Sequence, residues 1–194
     1  MDISSLSSQA HAEPLAGCGH ALFPTAIGEC GIAWGPGGVL AVQLPEPEAA
    51  RTRARLLAGL PVLPEVTPPD AVRTAIEGVQ ALLAGRTRSD LREITLDMRR
   101  LTPFQRQVYE CVRAIPPGET RTYGEVAQAL GDPGLARAIG QAMGHNPFAP
   151  VVPCHRVLAA GGRPGGFSAS GGARTKLRML AIEGALEPDL FGPL

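Results

Sequence analysis

The stretch TYGEVAQALGDPGLARAIGQAMG, residues 122–144, contains two short helices and the turn between them. Thr122, with Glu125 three positions on, has the form of a capping box, in which a hydroxyl and a carboxylate each satisfy a free backbone donor. The helix it opens runs through Leu130 and is stopped by Gly131. Asp132 and Pro133 restart the chain as a helix ending at Gly144, with Leu135, Ile139 and Met143 directed inward. Two helices joined at Gly131–Asp132 make a helix-turn-helix. Ala136, Ala138, Gly140 and Ala142 leave the second helix with few bulky side chains beyond Arg137 and Gln141, so its backbone suits close approach to a narrow groove. An alanine-rich helix is also simply a stable one, so the pattern alone permits either packing or DNA binding.

Upstream, TPFQRQVYECVRAI (102–115) puts Phe104, Val108, Cys111, Val112 and Ile115 on one helical stripe, with Thr102 as cap and Pro103 in the first turn. Cys111 is then a core residue. The first half of the chain has a different texture. Residues 1–16 are small, polar and aperiodic and are expected to form a flexible leader, with order beginning near Ala21. Two apolar runs, Gly31–Trp34 and Val39–Leu44, flank GPGG and predict a hairpin. A helix with Ala50, Leu56, Leu57 and Leu60 on one side follows. A second carries Val72, Ile76, Val79, Leu82 and Leu83, with Asp70 as candidate cap. EITLDM (93–98) predicts a short strand and RRLTP a join. The expected organisation is a leader (1–16), an N-terminal α/β domain (17–98) and a mostly helical C-terminal domain (99–194), giving an α+β chain.

Downstream lies VVPCHRV, residues 151–157, which sets a thiol beside an imidazole. Neighbouring side chains diverge on a strand and do not face each other on a helix, so Cys154 and His155 act together only across a turn, which Pro153 makes plausible. Nucleophile, metal ligand and buried core thiol all remain open at this point.

Composition narrows the class. At 194 residues with 44% hydrophobic content the chain can build a core. No apolar run approaches the ~18 residues of a membrane span, and the start lacks a signal-peptide pattern, so a cytoplasmic protein is expected. Four scattered cysteines argue against a disulfide framework. Eighteen basic residues balance eighteen acidic ones, which disfavours nucleic-acid binding by bulk charge. Seventeen of those cations are arginine, suited to forked hydrogen bonds and stacking, although GC-rich codons give the same bias.

The ordered blocks TYGEVAQAL, ARAIGQAMGHNP, VVPCHRV, GGFSASGG and TKLRMLAIEG closely resemble the O6-alkylguanine-DNA alkyltransferases, or methylated-DNA–protein-cysteine methyltransferases, from about residue 101 to 184. The N-terminal half matches that family's layout in size and in its strand-then-helix order. The resemblance implies a small ribonuclease-H-like N-terminal domain and a winged-helix-like C-terminal domain. It also implies direct-reversal DNA repair, with irreversible, stoichiometric transfer of an alkyl group from O6-alkylguanine, and from O4-alkylthymine, to a cysteine. The implied partner is the minor groove of double-stranded DNA bound by a monomer, associated with the nucleoid when on DNA, with no cofactor.

Residue by residue, the resemblance makes Cys154 the alkyl acceptor, His155 the base that draws the thiol proton through a water, and Glu183 the carboxylate that orients the imidazole. It makes Asn146 the brace of the turn behind the active-site segment. Tyr123 would crowd the target phosphate and protonate the departing guanine. Arg137 would fill the gap left by a flipped nucleotide, on a helix whose Ala136 and Gln141 also meet DNA. Val157, Phe167, Ser168, Lys176 and Pro150 would form the base pocket. Two departures stand out: Phe167 replaces the tyrosine of many members, and the following SASGG is two residues longer.

A metal site from Cys18, His20, Cys30 and His11 lacks regular ligand spacing, and none is expected. Two alternatives are weaker. A non-enzymatic, alkyltransferase-like lesion-binding or regulatory protein would lack Cys154. A cysteine hydrolase would need an oxyanion hole and would leave the helix-turn-helix unexplained.

Overall fold

Alternation of large apolar and small residues makes an antiparallel sheet in the order β1 (Gly19–Thr25), β2 (Gly28–Gly35), β3 (Gly38–Gln43). The computed structural model describes residues 17–186, so the expected leader lies outside the described residues. The predicted hairpin is β2–β3, turning at Pro36 and Gly37. Gly38 is required there: its φ is +114°, and a Cβ would sit 2.5 Å from the Thr95 carbonyl oxygen. β1 was not foreseen; it begins at Gly19 and pairs with β2 from Gly28 to Trp34. The two-residue period sends Ile32 and Trp34 into the main core, while Ala33 joins a smaller cluster with Leu56 and Leu63.

Four sequence expectations in this half need correction. The first helix, α1 (Ala49–Leu57), buries only Thr52 and Leu56. That i,i+4 pair defines its inner side, so Ala50 is exposed, and Leu60 lies beyond the helix end. In α2 (Asp70–Leu83) the cap is Pro69, because the Asp70 carboxylate pairs with Arg73 instead of the backbone. Ile76 is only half-buried. EITLDM is not a strand: Leu96 makes a single parallel bridge to Val39. The Asp97 carboxylate then accepts from the backbone and side chain of Arg99 (3.1 and 2.9 Å), which turns the chain away.

The C-terminal half follows its local signals closely. Thr102 and Gln105 form a complete capping box on α3 (Pro103–Arg113), as do Thr122 and Glu125 on α4 (Tyr123–Ala129). Cys111 is half-buried against the core. The expected helix 133–144 divides into a 3-10 turn, Pro133–Leu135, and α5, Ala136–Gly144. The Asp132 carboxylate accepts from Gly134 N at 2.8 Å, which tightens the first turn. The small residues of α5 do not share one face, since helical spacing buries Ala142 and exposes Arg137, Gln141 and Gly144. The last helix is α6 (Ala173–Ile182). Among the described residues no helix is long and apolar enough to cross a membrane.

Three links carry this framework to the region of Cys154. β4 (Arg121–Thr122) pairs in parallel with β5 (Val157–Leu158), setting the start of α4 beside the chain that follows Cys154. The edge strand β3 donates Val42 N to Pro147 O at 2.8 Å, holding the segment that precedes it. Buried Arg113 spans the two halves by donating to the carbonyls of Leu91, Arg92 and Ile94 (3.0–3.3 Å). One buried apolar cluster runs from Phe23 through Val108, Ile139 and Cys154 to Met179.

Candidate active site

Cys154–Arg156 form a single 3-10 turn behind Pro153, which resolves how adjacent residues serve one site. Cys154 faces a cavity, while His155 is wholly buried and points to α6. His155 Nε2 meets Glu183 Oε1 at 2.9 Å. An ionised carboxylate only accepts, so Nε2 carries the proton and Nδ1 holds the free lone pair. Nδ1 is buried with no protein partner. A buried polar nitrogen of this kind suits a bound water.

Arg156, the next residue along the chain, holds Glu183 from the other side. Its Nε donates to Oε2 at 2.9 Å and its Nη2 to Oε1 at 2.8 Å, while Nη1 donates to Ile115 O at 2.6 Å. Burial acts to raise the Glu183 carboxyl, but the hydrogen bonds and charges of His155 and Arg156 outweigh it and hold the group at about 2. Burial pushes His155 below its ordinary value against the opposing pull of Glu183, so the ring is neutral and basic at Nδ1.

Burial raises the Cys154 thiol, and the Asn146 amide, the Lys176 charge and nearby backbone N–H groups act in the opposite direction. The resting thiol is therefore protonated and needs a base. Asn146 also fixes the turn ahead of it. Its amide donates to Val152 O at 2.8 Å, and its carbonyl oxygen accepts from Phe148 N at 3.0 Å. Tyr109, missed in the sequence, braces α3 on α5 through a 2.9 Å bond from its hydroxyl to Ala142 O.

The cavity in front of Cys154 holds about 550 Å³ and brings together Tyr123, Arg137, Gly140, Cys154, Phe167 and Ser168, a size typical of small-ligand sites. A Cβ on Gly140 or Gly165 would meet the Tyr123 ring at 3.9 or 3.7 Å, so small residues flank that ring. Arg137 is exposed at the mouth and makes no salt bridge among the described residues. Gln141 is exposed one turn further on, and Ala136 is half-buried against the core.

Val157 and Lys176 are buried, and Lys176 Nζ donates to Val157 O at 2.6 Å while lying 6.0 Å from the centre of the Phe167 ring; the carbonyl oxygen keeps a second lone pair. Burial brings this ammonium down to about 8. Pro150 is also buried and lines no part of this cavity. One contact was invisible in the sequence: Arg55 of α1 donates to the Ser168 carbonyl while pairing with Glu46 at 2.7 Å.

Among the described residues no three His, Cys, Asp or Glu side chains gather as a metal set. His20 Nδ1 lies 3.1 Å from Leu63 O, and burial raises the Cys30 thiol to about 12. His11 lies outside the described residues.

The arrangement provides a protonated thiol, a neutral imidazole with a free lone pair and an ionised, anchored carboxylate, all at a cavity bounded by a helix-turn-helix. Comparison with known proteins shows what the chain is similar to. Residues 103–185 match the family model described as 6-O-methylguanine DNA methyltransferase, DNA binding domain. A methylated-DNA–protein-cysteine methyltransferase of Mycolicibacterium paratuberculosis is 47% identical over 115 residues, spanning 59% of this chain and 67% of that protein. One from Mycobacterium tuberculosis is 42% identical over 120 residues, spanning 62% and 70%. The crystal structure of Mycobacterium tuberculosis OGT in complex with DNA superposes with a TM-score of 0.68 and 34% identity, covering 86% of this chain and 92% of that one.

Proposed function

The chain belongs to the methylated-DNA–protein-cysteine methyltransferase family, and on that premise we propose that it repairs O6-alkylguanine in DNA by moving the alkyl group onto Cys154. The observation that carries the assignment is the junction of Cys154 with the buried His155–Glu183 pair at a cavity whose mouth holds Tyr123 and Arg137 of the helix-turn-helix.

The O6 substituent of a stacked guanine cannot be approached in line by a thiol, so the base leaves the stack and enters the cavity. Arg137, exposed and free of a salt bridge among the described residues, takes the vacated place in the duplex, where its flat cation can stack and hydrogen-bond. Within the cavity a water relays the thiol proton to His155 Nδ1, and Glu183 stabilises the imidazolium. Cys154 Sγ attacks the alkyl carbon, the carbon–O6 bond breaks with its electron pair left on the guanine, and Tyr123 supplies a proton to the leaving base. The proton lost from the thiol restores the balance. A thioether has no ready leaving group, so each molecule acts once.

In the same reading, O4-alkylthymine is a second substrate and the protein works as a monomer from the minor groove. Gln141 and Gly144 on α5 meet the backbone edges, and sequence selectivity is weak. The N-terminal sheet with α1 and α2 is a ribonuclease-H-like unit ending near residue 98. The segment from 99 onward is winged-helix-like, with the β4–β5 pair beside the helix-turn-helix. The test is intact-protein mass after mixing with a duplex carrying O6-methylguanine. A gain of one methylene per protein is expected, and Cys154→Ser abolishes it while still binding the lesion duplex. Repair of many lesions by one molecule contradicts the assignment.

A further inference from the structure

α5 and its C-terminal cap expose Arg137, Gln141, Gly144 and His145. These stand at i, i+4, i+7 and i+8, which is one stripe of a helix. The first three have a place in the DNA contact proposed above, and His145 does not. Its ring folds back along the stripe, with Nδ1 2.8 Å from Gln141 O, four positions earlier. A carbonyl oxygen only accepts, so Nδ1 carries the proton, and in the neutral ring Nε2 is left with a lone pair. The residue is exposed, so that lone pair is open to a partner.

What such an acceptor can meet follows from the chemistry of the groove. Phosphate oxygens accept and cannot donate to it. In the minor groove A·T pairs also show only acceptors, adenine N3 and thymine O2, and the one donor is the 2-amino group of guanine. The ring stands at the negative end of the α5 dipole, which favours a donor over a phosphate beside a neutral imidazole. Gly144 has no Cβ, and the place of one is open, so nothing bulky next to His145 holds its ring off the groove floor. Eight positions from Arg137 are about 12 Å along a helix, or about three to four base pairs at roughly 3.4 Å each.

We propose that His145 is a specificity-determining residue, which through Nε2 accepts a hydrogen bond from the 2-amino group of a guanine about three to four base pairs from the lesion. The inference rests on the reading above that α5 enters the minor groove. It gives the weak selectivity of that reading a source and a size, since one neutral hydrogen bond is a preference of about two- to tenfold.

The test uses the full chain carrying Cys154→Ser, so that binding is read without transfer, on O6-methylguanine duplexes in which the flanking guanines of either strand are replaced one at a time by inosine. Inosine still pairs with cytosine and keeps the major-groove edge, but lacks the 2-amino group. At about pH 8, where an imidazole is ordinarily neutral, one inosine position should weaken binding about two- to tenfold. Adding His145→Ala should abolish that response and leave the salt dependence of binding unchanged, because no phosphate contact is lost. His145→Lys, which puts a donor and a charge in place of the lone pair, should also lose the response while steepening the salt dependence. The proposal is overturned if no inosine position distinguishes the parent from His145→Ala, or if His145→Lys keeps the response. A salt slope lowered by about one in His145→Ala marks a phosphate contact instead and overturns it too. Failure of netropsin, a minor-groove ligand, to displace the parent protein defeats the groove placement itself and the inference with it.

Discussion

Arg156 and Glu183 are joined in the interior by two hydrogen bonds, Nε to Oε2 at 2.9 Å and Nη2 to Oε1 at 2.8 Å, and the oxygen at 2.8 Å also receives the His155 ring. The carboxylate that orients the imidazole is thus anchored before any substrate arrives. On the proposed mechanism one residue serves both chemistry and fold, and its substitutions should show both effects.

Glu183→Gln should slow alkyl transfer and also destabilise the protein, by about 3–5 kcal/mol, because it leaves the Arg156 guanidinium buried without a counter-charge. His155→Ala removes no charge partner of Arg156, so transfer should fall by about 10²–10⁴ with a smaller loss of stability. Urea unfolding beside single-turnover mass kinetics separates the two. Equal destabilisation by both variants would mean that the Arg156 pair does not carry the difference.

Acid should expose the same pair. The folded Glu183 carboxyl, at about 2, lies below its unfolded value of about 4.3. Its contribution is therefore complete above the unfolded value and is lost as pH falls from there toward 2, a loss on the order of 3 kcal/mol. Thermal unfolding between pH 5 and pH 2.5 should show wild type losing Tm more steeply than the double variant Arg156→Leu/Glu183→Leu, which has no pair to protonate. Parallel slopes would contradict this.

Asn146→Ala removes a donor to Val152 O and an acceptor for Phe148 N, leaving Phe148 N unmatched and Val152 O with only the Cys154 N–H at 2.8 Å. A loss of about 1–3 kcal/mol is expected, together with slower transfer, since the same amide lowers the Cys154 thiol. Differential scanning calorimetry and the mass assay read the two effects. Unchanged stability would remove Asn146 from the role of brace.

Arg137 is exposed and unpaired among the described residues, so Arg137→Ala should alter stability by less than about 0.5 kcal/mol. It should impair duplex repair far more than transfer from the free base O6-benzylguanine, because only the duplex reaction must offset an unstacking cost of a few kcal/mol. Tyr123→Phe keeps the ring between Gly140 and Gly165 and removes the proton donor. Flipping, followed by a fluorescent base analogue, should survive while transfer slows. Equal loss of duplex and free-base activity in Arg137→Ala would exclude the flipping role.

The sequence alone determined what depends on neighbours a few residues apart. The boxes at Thr102–Gln105 and Thr122–Glu125 are i,i+3 hydrogen bonds, and the stripe of Val108 and Val112 is a helical period. The GPGG hairpin is turn chemistry, and the ordered blocks around Cys154 indicate the family. Local pattern failed where tertiary contacts compete with it. EITLDM has strand composition, but one bridge and the Asp97–Arg99 turn hold it. Alanines spaced by two residues in α5 suggest a face that a period near 3.6 does not allow. Only the tertiary structure decided that Arg156 grips Glu183, that Lys176 donates to the Val157 carbonyl, and that Arg55 reaches Ser168 across 113 positions. Those pairings follow from how whole elements pack, and a buried charge takes whichever partner packing brings within reach, which no local spacing records.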